Sequence, residues 1–177
     1  VHPAPEILTA PTSPTELISH ALHHLSEGNL DEARRLLLAA RQLLTHQWWN
    51  DERTNYQLVA SQFVIDEASA GNPTLAAERL QLLAGIPLLP LDAAIADIAD
   101  EIMSRAILPE KARTDALHIA AVAHHRIQYL LTWNCRHIAN ARILPRIHNV
   151  LNDLLLPVPV ICTPEEMVGN DSEIDDN

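Results

Sequence analysis

The stretch "ARTDALHIAAVAHHRIQYLLTWNCRHIANA", residues 112–141, decides the predicted fold. Small and apolar residues follow Asp115 at helical spacing, with Ala116 and Ile119 on one face, which predicts a helix with one buried stripe. The apolar run "IQYLLTW" comes next and is typical of a buried strand. Polar residues, among them Asn134, end that strand. A helix followed by such a strand favours an α/β fold with parallel strands.

The rest of the chain continues this alternation of helical and apolar segments. The predicted strands are "YQLVA" (56–60), "IPLLPL" (86–91), "IQYLLTW" (127–133) and "VPVICT" (158–163). Strands that are nearly continuous apolar runs, separated by helices, predict a mostly parallel sheet covered on both faces. Ligands of such sheets bind beyond the carboxyl ends of the strands, so we expect Asn134 to lie at a ligand-binding rim.

A helical hairpin is predicted at the N-terminal side of these strands. Ser13 with Glu16 forms the pattern of a capping box, and Gly28 is a helix stop. Asn29 can cap the second helix, and so short a turn predicts an antiparallel pair. We expect a Pro-rich segment and helical extension at residues 1–34, a domain at 35–168 and an acidic disordered tail at 169–177.

The composition limits the function classes that need to be considered. The 177 residues carry a net charge of −11, and 47% are hydrophobic, which suits one compact domain. Because an acidic surface repels phosphates, binding of nucleic acid needs a local basic strip or a bridging metal.

Cys135 and Cys162 indicate reduced thiols. Without an evident signal peptide or membrane span, we expect a cytoplasmic protein. The first residue, Val1, is not Met, so processing or a start inside a longer chain are both open.

Two acidic residues are candidates for chemistry. Asp115 borders the buried stripe of its helix, where a carboxylate is costly unless it is paired, hydrogen-bonded or bound to a metal. The alternative is a capping acid or a salt bridge to Lys111 or Arg113. Glu67 follows Asp66 near the end of another predicted helix, and either of the two carboxylates can face a cleft while the other is solvated.

These residues lie in segments that resemble the PIN-domain proteins, especially the bacterial ones related to toxin–antitoxin ribonucleases. The segments are "HQWWNDERTNYQLVASQFVIDEASAGNP" (46–73), "ILPEKARTDALHIAAVAHHRIQYLLTWNCRHIANA" (107–141) and "ICTPEEM" (161–167). The resemblance runs from about Arg35 to Val168. It implies a PIN-like three-layer α/β/α fold with a mostly parallel sheet, preceded here by the N-terminal hairpin.

The resemblance also implies a function and a cofactor. PIN-domain ribonucleases cut single-stranded RNA with Mg²⁺ or Mn²⁺, which carboxylate oxygens bind. By the match, Glu67 and Asp115 are metal ligands and catalytic acids. Asn134 stands near a further acid position and is expected as a catalytic residue that positions water or the metal. Cations that can contact the substrate follow it, namely Arg136, His137 and Arg142, and the alternative is that these are solvated charges at the rim. An antitoxin or other protein partner and a homodimer are further expectations.

The chain departs from the family pattern at its start. No strand with the family's first catalytic aspartate is found in residues 1–34. That strand can lie upstream of Val1, the site can be degenerate, or another acid, Glu6 or Asp66, can complete it. The alternative function is therefore a non-catalytic PIN-like protein that binds a partner through the hairpin at residues 13–45.

Overall fold

The computed structural model describes residues 13–106 and 108–168, and this part of the chain is mostly helical. The helices are α1 (Pro14–Ser26), α2 (Leu30–Gln47), α3 (Gln62–Ser69), α4 (Pro73–Leu83), α5 (Ala93–Arg105), α6 (Arg113–His124), α7 (Leu144–Asp153) and α8 (Pro164–Met167). The strands are β1 (Tyr129–Leu131) and β2 (Val160–Cys162). Short helical turns lie at Trp48–Glu52, Arg53–Asn55 and Glu110–Ala112. In the described ranges no helix combines the length and the apolarity needed to cross a bilayer.

The expected three-layer α/β/α fold with a mostly parallel sheet is wrong. In the described residues the sheet has two strands, β1 and β2, which pair in parallel. The segments "YQLVA" and "IPLLPL" make one isolated parallel bridge, between Ala60 and Leu88. Because Pro87 has no N–H to donate, the ladder does not extend back to Leu58, and on the other side of the bridge the chain enters α3 at Gln62.

The described residues form two compact units, residues 13–54 with 167–168, and residues 55–166. The predicted boundaries after residues 34 and 168 stay predictions. Residues 1–12, which include Glu6, and the predicted acidic tail at 169–177 lie outside the described residues.

The first unit contains the predicted hairpin. The Ser13 hydroxyl accepts from the Glu16 N–H, and the Glu16 carboxylate accepts from the Ser13 N–H, both at 3.2 Å, so the capping box is confirmed. The Asn29 side chain caps α2 by accepting from the Glu32 N–H over 3.3 Å. Helices α1 and α2 pack together over buried alanines, namely Ala21, Ala33 and Ala40.

The second unit has its core between α5, α6 and α7. The largest fully buried side chains are Ile95, Ile102, Ile119, Ile147 and Leu151. The α6 residues predicted to be buried, Ala116, Ile119, Ala120 and Ala123, are fully buried. His118, Ala121 and Val122 are buried too, so burial extends beyond the one predicted stripe. Burial of one such isoleucine side chain stabilises the fold by roughly 1.5–3 kcal/mol.

The connection from α6 to β1 reverses the chain and so determines where the polar residues meet. The N–H of Ile127 donates to the carbonyl of Val122 over 2.9 Å, and Arg126 adopts a left-handed conformation with φ of 56°. The start of α6, with Asp115, therefore comes to lie at the same end as the turn that follows β1, with Asn134.

A polar cluster around Asp115

Asn134 fixes Asp115 at this end of α6. Its side-chain amide nitrogen donates to Oδ1 of Asp115 over 2.7 Å. Its amide oxygen accepts from the backbone N–H groups of Arg136 and His137 over 3.2 and 3.1 Å. Its own N–H donates to the Thr132 hydroxyl over 3.0 Å. Asn134 thus caps its turn, as the sequence allows, and also holds the carboxylate of Asp115 in place.

His137 lies against the other oxygen of the same carboxylate. Its Nδ1 is 3.7 Å from Oδ2 of Asp115, within reach of an ion pair but too far for a hydrogen bond. The residue is only 8% exposed, and its buried Nδ1 has no hydrogen-bond partner among the described residues. Most buried polar atoms in proteins are hydrogen-bonded, so this nitrogen is an exception. The sequence placed His137 among the substrate-binding cations, whereas the structure places it beside Asp115.

Glu67 reaches the cluster through His118. His118 follows Asp115 by three residues, so both side chains project from one face of α6. Its Nε2 is 3.4 Å from Oε2 of Glu67, and its ring meets the Phe63 ring edge-on, with 6.0 Å between centroids. Asp66, the neighbouring acid, is exposed and accepts from the Gln62 side chain over 2.8 Å. Of the two carboxylates, it is Glu67 that contacts His118.

The side chains of Glu67, Asp115, His118, Asn134 and His137 are called the Asp115 cluster below. Burial raises the pKa of Asp115 above its ordinary value. The positive character of the His137 and His118 rings opposes this shift of the pKa, and the negative charge of Glu67 adds to it. The hydrogen bond from Asn134 lowers the pKa by a smaller amount. One carboxyl group is therefore influenced by all four other members, which come from three separate parts of the sequence.

The salt-bridge alternative for Asp115 does not describe the observed contacts. Arg113 forms its ion pair with Asp100 of α5, at the exposed surface. The hydrogen bond to Asp115 comes from the neutral amide of Asn134. Asp115 is a partly buried acid, with a side chain 16% exposed, whose neighbours are an amide, two imidazoles and a second acid.

Arg136 and Arg142, the other two cations expected to contact a substrate, are exposed just after Asn134. They belong to a longer basic segment of the sequence. Residues 116–152 contain four arginines and no acid, in a chain whose net charge is −11. All four are exposed, namely Arg126, Arg136, Arg142 and Arg146. A count of charged residues along the sequence identifies this basic segment at residues 116–152.

His118 is the member of the Asp115 cluster that the sequence did not single out as a site residue. An imidazole on an apolar helix face is usually a packed core residue, and its spacing from Asp115 was the available signal. Neither cysteine belongs to the Asp115 cluster. Cys135 is an exposed free thiol and Cys162 a buried one, and burial raises the pKa of Cys162 above its ordinary value.

The Asp115 cluster contains side chains whose donor atoms can bind the expected Mg²⁺ or Mn²⁺. Two carboxylates and two imidazoles lie together in the Asp115 cluster, and carboxylate oxygens suit both cations. In the part of the chain that the structure describes, no group of three or more His, Cys, Asp or Glu side chains is already arranged as a metal site. Side-chain rotations at Glu67, whose side chain is 58% exposed, are therefore part of any binding event.

Comparisons with known proteins do not point to a function, so the proposal below rests on the chemistry of the Asp115 cluster. No family model, no curated protein and no solved structure matches the chain.

Proposed function

We propose that the Asp115 cluster is the active site of a divalent-metal-dependent ribonuclease that hydrolyses phosphodiester bonds in single-stranded RNA. One observation carries the proposal: Asp115 is a partly buried acid, and a second acid, Glu67, is near enough to raise its pKa further. In the described residues neither acid is ion-paired with a lysine or arginine. A buried acid without such a partner is costly for folding, which supports a role in binding a cation.

The chain's own residues have separate tasks in this proposal. Asp115 and Glu67 provide carboxylate oxygens, and Asn134 orients Asp115 by occupying its Oδ1. A bound divalent cation supplies an activated water and charge stabilisation at the phosphate. His118 and His137 are largely buried, and they contact Glu67 and Asp115 respectively.

The basic segment at residues 116–152 supports an anionic substrate. Its four arginines are exposed and no acid lies between them in the sequence, and a local excess of positive charge is what phosphate binding needs. Arg136 and Arg142 lie close in sequence to Asn134, where they can contact phosphates on either side of the reacting bond. The choice of single-stranded RNA as substrate rests on the resemblance to PIN-domain ribonucleases, as do the antitoxin partner and the homodimer. The cytoplasmic location stays a prediction from the sequence.

Cleavage of an end-labelled single-stranded RNA tests this proposal. The wild-type chain with Mn²⁺ is compared with an EDTA control, with Asp115→Asn, and with Asp97→Asn as a matched change of an exposed acid on α5. We expect cutting by wild type and Asp97→Asn only. Cutting at the wild-type rate by Asp115→Asn, or in EDTA, would contradict the proposal.

A non-catalytic interaction protein is the second candidate, and the hairpin provides the observation that favours it. Several leucines of α1 and α2 are exposed, namely Leu22, Leu25, Leu30 and Leu38. Exposed apolar side chains on one helical hairpin are suited to a protein partner. This candidate predicts no RNA cleavage under any of the four conditions.

A further inference from the structure

We propose that His137 is a metal ligand together with Asp115, so that the site takes a cation that binds nitrogen, such as Zn²⁺ or Mn²⁺, in preference to Mg²⁺. This inference rests on the proposed cation at Asp115 and adds a residue and a selectivity to it. The expectation from the sequence gave His137 to the substrate instead.

The first argument concerns the Nδ1 atom of the His137 ring. Nδ1 of His137 is buried without a hydrogen-bond partner among the described residues, in a residue that is 8% exposed. It faces the carboxylate of Asp115, with 3.7 Å between Nδ1 and Oδ2. When the imidazole is neutral, a buried ring nitrogen that faces a carboxylate oxygen can join that oxygen as a second ligand of one cation.

The second argument is the spacing of these donors. With cation bonds of about 2.0–2.2 Å to imidazole nitrogen and carboxylate oxygen, two ligands of one ion lie roughly 3.0–3.7 Å apart for bond angles between about 90° and 120°. The separation of 3.7 Å between Nδ1 of His137 and Oδ2 of Asp115 is at the upper end of this range. The separation of 3.4 Å between Nε2 of His118 and Oε2 of Glu67 is within it. Each acid thus has an imidazole at ligand spacing.

The third argument is the orientation of the carboxylate. Asn134 donates to Oδ1 of Asp115 over 2.7 Å, which leaves Oδ2 as the oxygen that faces His137. The same Asn134 accepts from the backbone N–H of His137 over 3.1 Å, so one amide holds both the Asp115 carboxylate and the backbone that carries the His137 ring. Support of metal ligands by an outer hydrogen-bonding residue is common in metal sites.

The selectivity follows from the kind of donor. Mg²⁺ prefers oxygen ligands in near-octahedral geometry and keeps several waters, whereas imidazole suits Zn²⁺ and other transition-metal ions. A site in which a carboxylate oxygen is paired with an imidazole nitrogen therefore favours Zn²⁺ or Mn²⁺ over Mg²⁺.

Nitrogen-15 NMR of the imidazole rings tests the inference on the wild-type chain, without a variant. Addition of Zn²⁺ to the metal-free protein is expected to shift the resonance of His137 Nδ1 strongly, while an excess of Mg²⁺ leaves it in place. If Zn²⁺ binds and the His137 Nδ1 resonance does not move, the inference is overturned.

Variants add an affinity to this test. Because loss of even an outer-shell partner costs about 10- to 100-fold in metal affinity, we expect His137→Gln to weaken Zn²⁺ binding by roughly tenfold or more. His148→Gln, which removes a half-buried imidazole of α7, is the control and should bind as wild type does. Equal Zn²⁺ affinity of His137→Gln and wild type would overturn the inference.

The failure of this inference can be told apart from the failure of the proposed function. If His137→Gln binds Zn²⁺ and cleaves RNA as wild type does, only the role of His137 is overturned, and carboxylates alone hold the cation. If wild type binds neither Zn²⁺ nor Mn²⁺, the inference is overturned, and RNA cleavage that persists in EDTA would then contradict the proposed function as well.

Discussion

The side-chain amide of Asn134 donates to Oδ1 of Asp115 over 2.7 Å, across nineteen positions of the sequence. The same amide accepts two backbone N–H groups from the turn that follows. A neutral side chain thereby ties the first turn of α6 to the end of β1. It also supports the acid that the proposed function depends on.

Replacement of Asn134 by alanine tests this positioning role. Asn134→Ala removes the donor to Asp115 and leaves the N–H groups of Arg136 and His137 without their side-chain acceptor. We expect a loss of about 1–3 kcal/mol in the free energy of unfolding, because buried polar groups lose their partners. Urea titration followed by circular dichroism gives this value. Asn140→Ala, which removes one donated hydrogen bond, to the Arg136 carbonyl, and one accepted hydrogen bond, from the Arg142 N–H, is the control and should cost less. A value near zero for Asn134→Ala would show that the turn does not need the amide.

The raised pKa of Asp115 makes a prediction about stability that does not need any activity. Because burial raises the pKa of Asp115 in the folded chain above its value in the unfolded chain, the ionised carboxylate destabilises the fold. This cost is present above the folded-state pKa and disappears as the pH falls below the unfolded-state pKa. In metal-free protein, Asp115→Asn should therefore unfold at a higher temperature than wild type at neutral pH.

Thermal unfolding in EDTA at neutral pH and at about pH 4, near the ordinary pKa of aspartate, measures this difference. The advantage of Asp115→Asn should shrink at the lower pH, and the exposed Asp97→Asn should show no such advantage. An Asp115→Asn chain that unfolds earlier than wild type at neutral pH would count against a costly buried acid and for a structural one.

Glu67 and its neighbour Asp66 provide a matched pair of acids. Glu67 faces His118, whereas Asp66 is bound to the Gln62 side chain at the surface. We expect Glu67→Gln to reduce the rate of Mn²⁺-dependent RNA cleavage at least tenfold, in the range that loss of electrostatic stabilisation costs. Asp66→Asn should leave the rate within about twofold. The reverse order of the two variants would mean that Asp66 completes the site.

The backbone conformation of Leu155, away from the Asp115 cluster, predicts that replacement of this residue by glycine stabilises the fold. This residue follows α7 with a left-handed φ of 56° and is 89% exposed. Because the left-handed conformation costs a residue with a Cβ atom roughly 1–2 kcal/mol, Leu155→Gly should raise the free energy of unfolding by about 0.5–1 kcal/mol. Leu154→Gly is the control with the opposite sign, since Leu154 packs against the core. Destabilisation by Leu155→Gly would mean that the Leu155 side chain contributes to the free energy of unfolding although it is exposed.

The helices were the predictable part of the fold, because their signals are local. The capping box at Ser13 and the buried stripe around Ile119 follow from spacing along the chain, and both are present. The ends of helices were harder to place. Helix α7 ends at Asp153, before the apolar run "LLL" at 154–156, because the carbonyls of Leu151 and Asn152 accept from Leu156 and Leu155 instead of continuing the helix.

The sheet was not predictable from apolar runs alone. A short run such as "IPLLPL" has no period that separates a strand from a loop against a core, and pairing depends on partners far away in sequence. Pro87 and Pro90 were the available warning, since a proline in an apparent central strand argues against the strand.

The candidate site was partly predictable. Asp115 drew attention as a carboxylate beside an apolar stripe, and the structure brings Asn134 to it by a hydrogen bond. The position of His137 could not be foreseen, because it depends on how the turn after Asn134 folds back on α6. The link between Glu67 and His118 likewise joins α3 to α6, and no local spacing specifies such a contact.

The most direct measurement for the account is a calorimetric titration of metal-free protein with Mn²⁺, on wild type, Asp115→Asn and Asp97→Asn. The account predicts saturable binding of Mn²⁺ to wild type and to Asp97→Asn, with binding lost or weakened at least tenfold in Asp115→Asn, because Asp115 is the best-oriented acid of the cluster. Equal binding by all three chains, or no binding by wild type at millimolar Mn²⁺, would contradict the assignment of a cation site to the Asp115 cluster.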